Sequence, residues 1–147
     1  MPNQPPIHIS ILQMDLAWEA PAENLRKAED MLKRGNTTTD LIVLPEMFST
    51  GFSMNPKGVA EEVHGPTMNW MRKLAAHYDA LVLGSVMLYE NGKFFNRFLA
   101  MDAYGLVHQY DKIKLFSMTA EDVAYTAGNT LSAFEWKGMA HFTPDLL

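Results

Sequence analysis

The sequence predicts an α/β fold in which a mixed sheet carries two helices on one face, and three observations lead to this prediction. Segments with the two-residue alternation of strands are interspersed with segments of helical period. Residues 41–44 form an all-apolar run, which is typical of a strand covered on both faces. Asn91-Gly92 is a strong signal for a two-residue hairpin turn. Strands and helices at this spacing favour a layered sheet.

The start of the chain predicts a strand followed by an amphipathic helix. Residues 7–14 alternate between two sides, as a strand does. Residues 21–34 predict a helix, because Pro21 suits the first turn and apolar side chains recur at helical spacing. Gly35-Asn36 is expected to end this helix with a residue that can adopt positive φ. The expected buried stripe consists of Leu25, Ala28, Met31 and Leu32.

A second strand and a second helix follow. The apolar strand 41–44 stops at Pro45, and residues 46–64 are predicted to form a loop because they are rich in Gly, Ser, Asn and Pro. Residues 66–78 predict the second helix, and its expected inward side chains are Met71, Leu74, Ala75 and Tyr78. Since crossover connections are right-handed, both helices are expected on the same face of the sheet.

The remainder predicts a meander of hairpins. The Asn91-Gly92 turn joins the first two of its strands, and a turn at residues 102–105 leads into the third. Residues 111–128 are expected to be irregular, and a turn is predicted at Lys137-Gly138. No repeat or linker interrupts the chain, so residues 1–147 are assigned to one domain. The predicted strands of the meander are residues 80–88, 94–101, 106–110 and 131–136.

Composition narrows the classes of function. The net charge of −5 argues against nucleic acid as a partner, since a phosphate-binding surface needs excess Lys and Arg. No signal peptide and no apolar run of the roughly 18 residues needed for a membrane span are found, so no membrane partner and a cytoplasmic location are expected. The sequence has no cysteine, and its five histidines lack zinc-site spacing, so no metal site is expected.

Two charged residues are candidates for chemistry from their positions. Glu46 follows the strand 41–44, and sites in open α/β sheets lie at the carboxyl ends of strands. A partly desolvated carboxylate there is a usable general base, although an isolated loop Glu is more often solvated. Lys112 closes the last strand of the meander, where it could stabilise an oxyanion or pair as a surface residue with Asp111. Lys114 competes with Lys112 for the same role, and spacing does not separate them.

Four segments, in their order along the chain, resemble the signatures of the nitrilase superfamily, the carbon–nitrogen hydrolases. They are Leu-Pro-Glu-Met-Phe at residues 44–48, Gly84-Ser85 with the hairpin at residues 91–97, Tyr110-Asp111-Lys112, and the pair Glu121 and Gly128. Glu121 becomes a candidate only through this resemblance, which extends over residues 7–138. Thr50-Gly51-Phe52, which extends the first of these signatures, is similar to the corresponding segment of the bacterial omega-amidase branch.

The resemblance implies an α-β-β-α sandwich, present here in incomplete form, and an amidase that needs no cofactor. Its substrate would be a small-molecule amide, such as the 2-oxoacid amide 2-oxoglutaramate, from which it would release 2-oxoglutarate and ammonia. Glu46 would be the general base for a cysteine thiol, and Lys112 would hold the tetrahedral oxyanion. Glu121 would orient Lys112 and the substrate amide. Full-length relatives are expected to be homodimers.

The sequence departs from the family pattern after Gly138. Residues 139–147 diverge, no cysteine follows, and His141, Thr143 and Pro144 are expected to break the next strand. We therefore expect one partial domain, truncated before the nucleophile by a frameshift, a premature stop or artificial shortening, and inactive alone. Lys114 also stands where many relatives carry His. The alternatives are a non-catalytic binding or assembly module and the N-terminal piece of a split enzyme.

Overall fold

A six-stranded mixed sheet forms the centre of the protein in the computed structural model, which describes residues 5–35 and 38–142, and only the backbone of residues 139–142. The strands of this sheet are β1 (Ile9–Ile11), β2 (Leu41–Val43), β3 (Glu61–Glu62), β4 (Leu81–Glu90), β5 (Lys93–Asp102) and β6 (Gly105–Asp111). The helices are α1 (Pro21–Gly35), α2 (Pro56–Val59), α3 (Pro66–Tyr78) and α4 (Glu121–Ala124). A separate pair of strands is formed by β7 (Phe134–Trp136) and β8 (Met139–Phe142). The predicted α/β class with a mixed sheet is confirmed.

The sheet combines a parallel half with an antiparallel half. Strands β1, β2 and β4 are parallel, whereas β4, β5 and β6 form an antiparallel meander. The turn between β4 and β5 has positive φ at Asn91 and Gly92, and it pairs Glu90 with Lys93, as the hairpin signal predicted. The order β1-β2-β4-β5-β6 leaves β1 and β6 at the two ends of the sheet, while β3 pairs with β4.

Helices α1 and α3 cover one face of this sheet. Ala28 of α1 and Met71 of α3 lie in one apolar cluster with Ile42, Val82 and Leu99 of the sheet. The indole Nε1 of Trp70 donates a hydrogen bond of 2.7 Å to Glu29, which joins the two helices. The prediction that both helices lie on one face is therefore confirmed.

The opposite face is covered by β7. Phe134 and Trp136 pack against Leu41, Leu81 and Ala100. Ile9 pairs with Leu41 in register, so its side chain extends the same apolar face, yet it is exposed. This second face also carries the candidate site. Residues four positions apart in a strand lie on the same side, so Asn96, which belongs to that site, shares the face of Ala100 in β5.

Several predictions were wrong in detail. The predicted loop 46–64 contains α2 and β3, and the predicted irregular stretch 111–128 contains a 3₁₀ turn at Ser117–Thr119 and the short helix α4. Tertiary contacts fix such short elements: Glu61 of β3 accepts hydrogen bonds from the backbone N–H and the hydroxyl of Thr67 in α3.

Three other differences concern the ends of elements. The strand predicted for residues 7–14 is reduced to β1, and the strand predicted for residues 131–136 to β7. The Lys137-Gly138 turn folds the backbone of Met139–Phe142 back on β7, where it forms the antiparallel strand β8. The break expected at His141 therefore does not occur. Asn36, Thr143 and Pro144 lie outside the described residues.

Candidate active site

Glu46 stands at the carboxyl end of β2, in a tight turn that is fixed by buried groups. The N–H of Met47, a residue with positive φ, donates a hydrogen bond to Ser85 Oγ at 2.9 Å, and the N–H of Gly51 donates one to the carbonyl oxygen of Met47. Phe48 is fully buried against Gly84, where a Cβ would lie 2.9 Å from the Phe48 ring. The turn is therefore held on both sides, and the Glu46 side chain stays 30% exposed at the sheet edge.

Lys112 follows the last residue of β6 and is held by its backbone on two sides. Its N–H donates to the carbonyl oxygen of Asn96, and its own carbonyl oxygen accepts from Gly128 N–H, each at 3.0 Å. Arg97 forms two hydrogen bonds with the preceding Asp111, 2.6 and 3.0 Å long. These contacts direct the Lys112 side chain inward, where only 11% of it is exposed.

Glu121 opens the short helix α4 and is fully buried. Its Oε2 accepts hydrogen bonds from Phe116 N–H at 2.6 Å and from Lys112 Nζ at 3.0 Å. A buried carboxylate is costly unless charged and hydrogen-bonding partners surround it. Glu121 therefore has a fixed orientation relative to Lys112.

The structure brings all three predicted residues together in what we call the carboxylate–ammonium centre: Glu46, Lys112 and Glu121. Lys112 Nζ lies 2.9 Å from Glu46 Oε1 and 3.0 Å from Glu121 Oε2. Burial acts to lower the pKa of Lys112, but hydrogen bonds and charge attraction from both glutamates outweigh burial and raise that pKa above its ordinary value. Lys112 is thus held as a cation between two carboxylates.

Asn96 is a member of the site to which the sequence analysis gave no role. It is buried in β5, and its Nδ2 donates to Glu46 Oε1 at 2.7 Å and to Glu121 Oε1 at 3.2 Å. A signal was available, since Asn is depleted in strands and a buried amide must find partners. Phe52 was also given no role, although the Lys112 ammonium lies 5.1 Å from the centre of its ring.

The centre opens on a shallow depression of about 460 Å³, lined by Glu46, Phe52, Lys112, Lys114 and Phe116. Lys114 is exposed at this depression, whereas Lys112 carries both ion pairs of the centre. Of the two lysines that spacing left as alternatives, the structure places Lys112 between the glutamates.

The arrangement can accept a proton and stabilise a negative oxygen at the same place. Among the described residues, Glu46 Oε1 accepts two hydrogen bonds and Oε2 accepts none, so one oxygen remains for a ligand. An ammonium group has three N–H donors, and Lys112 uses two of them on the glutamates. A carbonyl oxygen at the depression could take the third.

Within the described part of the chain, no group of three or more His, Cys, Asp or Glu side chains is arranged to hold a metal ion. No helix within residues 5–35 and 38–142 is long and apolar enough to cross a membrane.

Comparison with known proteins finds a family that this sequence matches. The model of the carbon–nitrogen hydrolase family matches residues 8–138. The chain is 40% identical over 134 residues to the omega-amidase YafV of Escherichia coli (strain K12), covering 91% of this chain and 52% of the relative. It is 31% identical over 134 residues to the 2-oxoglutaramate amidase of Bacillus subtilis (strain 168), covering 89% and 52%. The chain thus spans about half the length of these relatives.

Solved structures agree with the fold. A CN-hydrolase superfamily protein from Xanthomonas campestris, with an arsenic adduct in its active site, superposes with a TM-score of 0.84 at 37% identity, covering 90% of this chain and 50% of that one. A nitrilase superfamily member from Saccharomyces cerevisiae superposes with a TM-score of 0.78 at 20% identity, covering 89% and 52%, and supports the fold alone.

Proposed function

The chain belongs to the carbon–nitrogen hydrolase family, and we propose that Glu46, Lys112 and Glu121 form the acid–base part of an amide-hydrolysing site of the omega-amidase type. The observation that carries the proposal is the position of Lys112 Nζ, within 3.0 Å of both carboxylates and facing an open depression. The sequence contains no cysteine, so the thiol nucleophile that the family resemblance implies is not among these 147 residues.

The proposed reaction is acyl transfer to a thiol supplied from outside these residues. Glu46 takes the thiol proton, and the thiolate forms a C–S bond to the amide carbon while the carbonyl electron pair moves onto oxygen. Lys112 stabilises that oxyanion with its remaining N–H donor. The oxyanion re-forms the carbonyl, the C–N bond breaks, and Glu46 returns its proton to the leaving ammonia.

Hydrolysis of the resulting thioester uses the same groups. Glu46 takes a proton from water, the hydroxide adds to the thioester carbon, and the C–S bond breaks to release the acid and the thiolate, which regains its proton from Glu46. Glu121 keeps Lys112 charged and in place throughout, since it is fully buried and accepts from Lys112 and Phe116. No cofactor is needed for either half of this reaction.

A 2-oxoacid amide, with 2-oxoglutaramate as the first candidate, is the proposed substrate. The names of the relatives from Escherichia coli and Bacillus subtilis support this choice. We also propose that residues 1–147 form one partial domain, that the full-length relatives are homodimers and that the location is cytoplasmic.

The test combines the 147-residue chain with a cysteine-bearing C-terminal fragment of an omega-amidase relative. We expect ammonia release from 2-oxoglutaramate only in the mixture. Glu46→Gln in the chain should lower the rate at least about 100-fold, the contribution typical of a general base. Glu23→Gln, on the exposed side of α1, is the matched control and should keep full activity. An assembled mixture that releases no ammonia, or full activity of the Glu46→Gln variant, contradicts the proposal.

A second function, binding of an amide without turnover, is favoured by one observation: the sequence provides the charged pocket but no thiol. The same mixture distinguishes the possibilities. Turnover only in the mixture identifies the N-terminal piece of a split enzyme. Binding of 2-oxoglutaramate by the chain, with no turnover in an assembled mixture, identifies a binding module.

A further inference from the structure

We propose that Lys114 determines substrate specificity, in that its ammonium group binds the carboxylate of an anionic amide whose amide group lies at Glu46 and Lys112. The inference rests on the proposed function and adds the residue that recognises the acid end of the substrate. Amides that carry a carboxylate are therefore the preferred class, and uncharged amides of the same size are weaker ligands.

The charges around the depression support this assignment. Glu46, Lys112 and Glu121 together carry one net negative charge, which repels an approaching anion. Lys114 is the other cation that lines the depression, and no ion pair joins it to a residue of the described ranges. Its charge is available to a ligand, whereas the charge of Lys112 is already shared between two carboxylates.

The shape of the depression supports it as well. Phe52 and Phe116 line the depression beside the two lysines. Their rings offer apolar surface to the carbon chain that separates an amide from a carboxylate. Lys114 is exposed, and a lysine stem is flexible, so its ammonium can follow substrates of different length. One molecule can thus contact the carboxylate–ammonium centre at one end and Lys114 at the other.

The first test is a binding titration of the 147-residue chain with two probes: glutaramate, which carries a carboxylate and an amide, and pentanamide, which is neutral. Lys114→Gln should weaken glutaramate binding about fivefold, the upper range of an exposed ion pair, and should leave pentanamide binding unchanged. The glutaramate preference should shrink at high salt, because exposed charges are screened. Lys114→Arg should restore the preference.

Lys93→Gln, which removes an exposed lysine at the β4–β5 turn, is the control with the same change in charge. Equal effects of Lys114→Gln on the two probes, an unchanged glutaramate affinity, or an original chain that binds neither probe would each overturn the inference. Circular dichroism of each variant verifies that the fold is kept.

The complemented enzyme separates this inference from the proposed function. With 2-oxoglutaramate, Lys114→Gln should raise KM about fivefold with little change in kcat, since the lost contact is made equally in ground and transition states. If the mixture is active and Lys114→Gln leaves its KM unchanged, the inference about Lys114 is refuted and the proposed function is not. If the mixture assembles but is inactive, while the chain still prefers glutaramate in a manner that depends on Lys114, the proposed function is refuted and the inference about Lys114 is not.

Discussion

The side-chain amide of Asn96 bridges the two carboxylates of the centre, with Nδ2 lying 2.7 Å from Glu46 and 3.2 Å from Glu121. Glu46 follows β2 and Glu121 begins α4, so no single element holds both. Asn96 in the buried strand β5 connects them, and Lys112 N–H also donates to the Asn96 carbonyl oxygen. One strand residue therefore positions all three members of the centre.

Removal of this bridge should cost stability. Asn96→Leu keeps the approximate shape of the side chain, but it leaves Glu121 Oε1 without a hydrogen-bond donor among the described residues and removes one of the two donors to Glu46 Oε1. We expect a loss of about 2 kcal/mol in the free energy of unfolding, because hydrogen bonds to charged acceptors are worth more than neutral ones. Urea denaturation measures it. Asn129→Leu, at an exposed position, should change stability by less than about 0.5 kcal/mol. Equal effects of the two substitutions would show that the bridge contributes nothing.

The charge on Lys112 predicts a pH dependence. Its pKa is raised in the folded protein, so the stability that Lys112 contributes is complete below the pKa of the unfolded chain, roughly 10.4. That contribution is lost as the pH rises from there through the folded pKa. The free energy of unfolding, measured from pH 7 to alkaline pH, should therefore fall more steeply in the original chain than in Lys112→Met.

The same variant should be unstable at neutral pH. Lys112→Met leaves the fully buried Glu121 facing Glu46 without a cation, and breaking a buried pair costs about 3 kcal/mol or more. Tyr125 also has a raised pKa, from burial and from the nearby charges of Glu121 and Glu19, so both chains should lose some stability at high pH. Only the difference between the chains reports Lys112. Parallel curves would contradict the ion-pair arrangement.

Local sequence signals predicted those parts of the fold that local chemistry determines. Helix α3 occupies the predicted residues 66–78, because Pro66 marks its start and the apolar period defines its inner face. The Asn91-Gly92 turn specified its own conformation. Glu46 could be placed at a strand end because a single apolar run preceded it.

The rest of the site depends on contacts between distant segments. Residues 112 and 114 look alike in sequence, and only the proximity of Glu46 and Glu121 distinguishes them. Glu121 was identified through the family resemblance alone, since nothing around it predicts burial. The alternation of β5 places Asn96 on one face but does not reveal that two carboxylates lie opposite.

The exposed apolar side chains of β1 predict self-association. Ile11 is 75% exposed, and β1 lies at an end of the sheet, where an unpaired strand edge can add another chain. Ile11→Lys should reduce concentration-dependent association in sedimentation velocity experiments. Leu131→Lys alters another exposed apolar residue outside the sheet and serves as the control. A protein that stays monomeric at all concentrations, or equal effects of both substitutions, would exclude β1 as the contact.

Gly128 supports Lys112 through close approach of two backbones. A Cβ at residue 128 would lie 2.2 Å from the carbonyl oxygen of Asp111, a backbone atom that cannot move aside without shifting Lys112. Gly128→Ala should therefore lengthen the hydrogen bond from residue 128 N–H to the Lys112 carbonyl and destabilise the fold by about 1–3 kcal/mol. Ala127→Ser, at the exposed neighbouring position, should be nearly neutral. Because the clash acts on residues 111 and 112, Gly128→Ala should also weaken glutaramate binding. Normal stability with normal binding would mean that the loop at residue 128 can retreat, and that Lys112 is held by its side-chain partners alone.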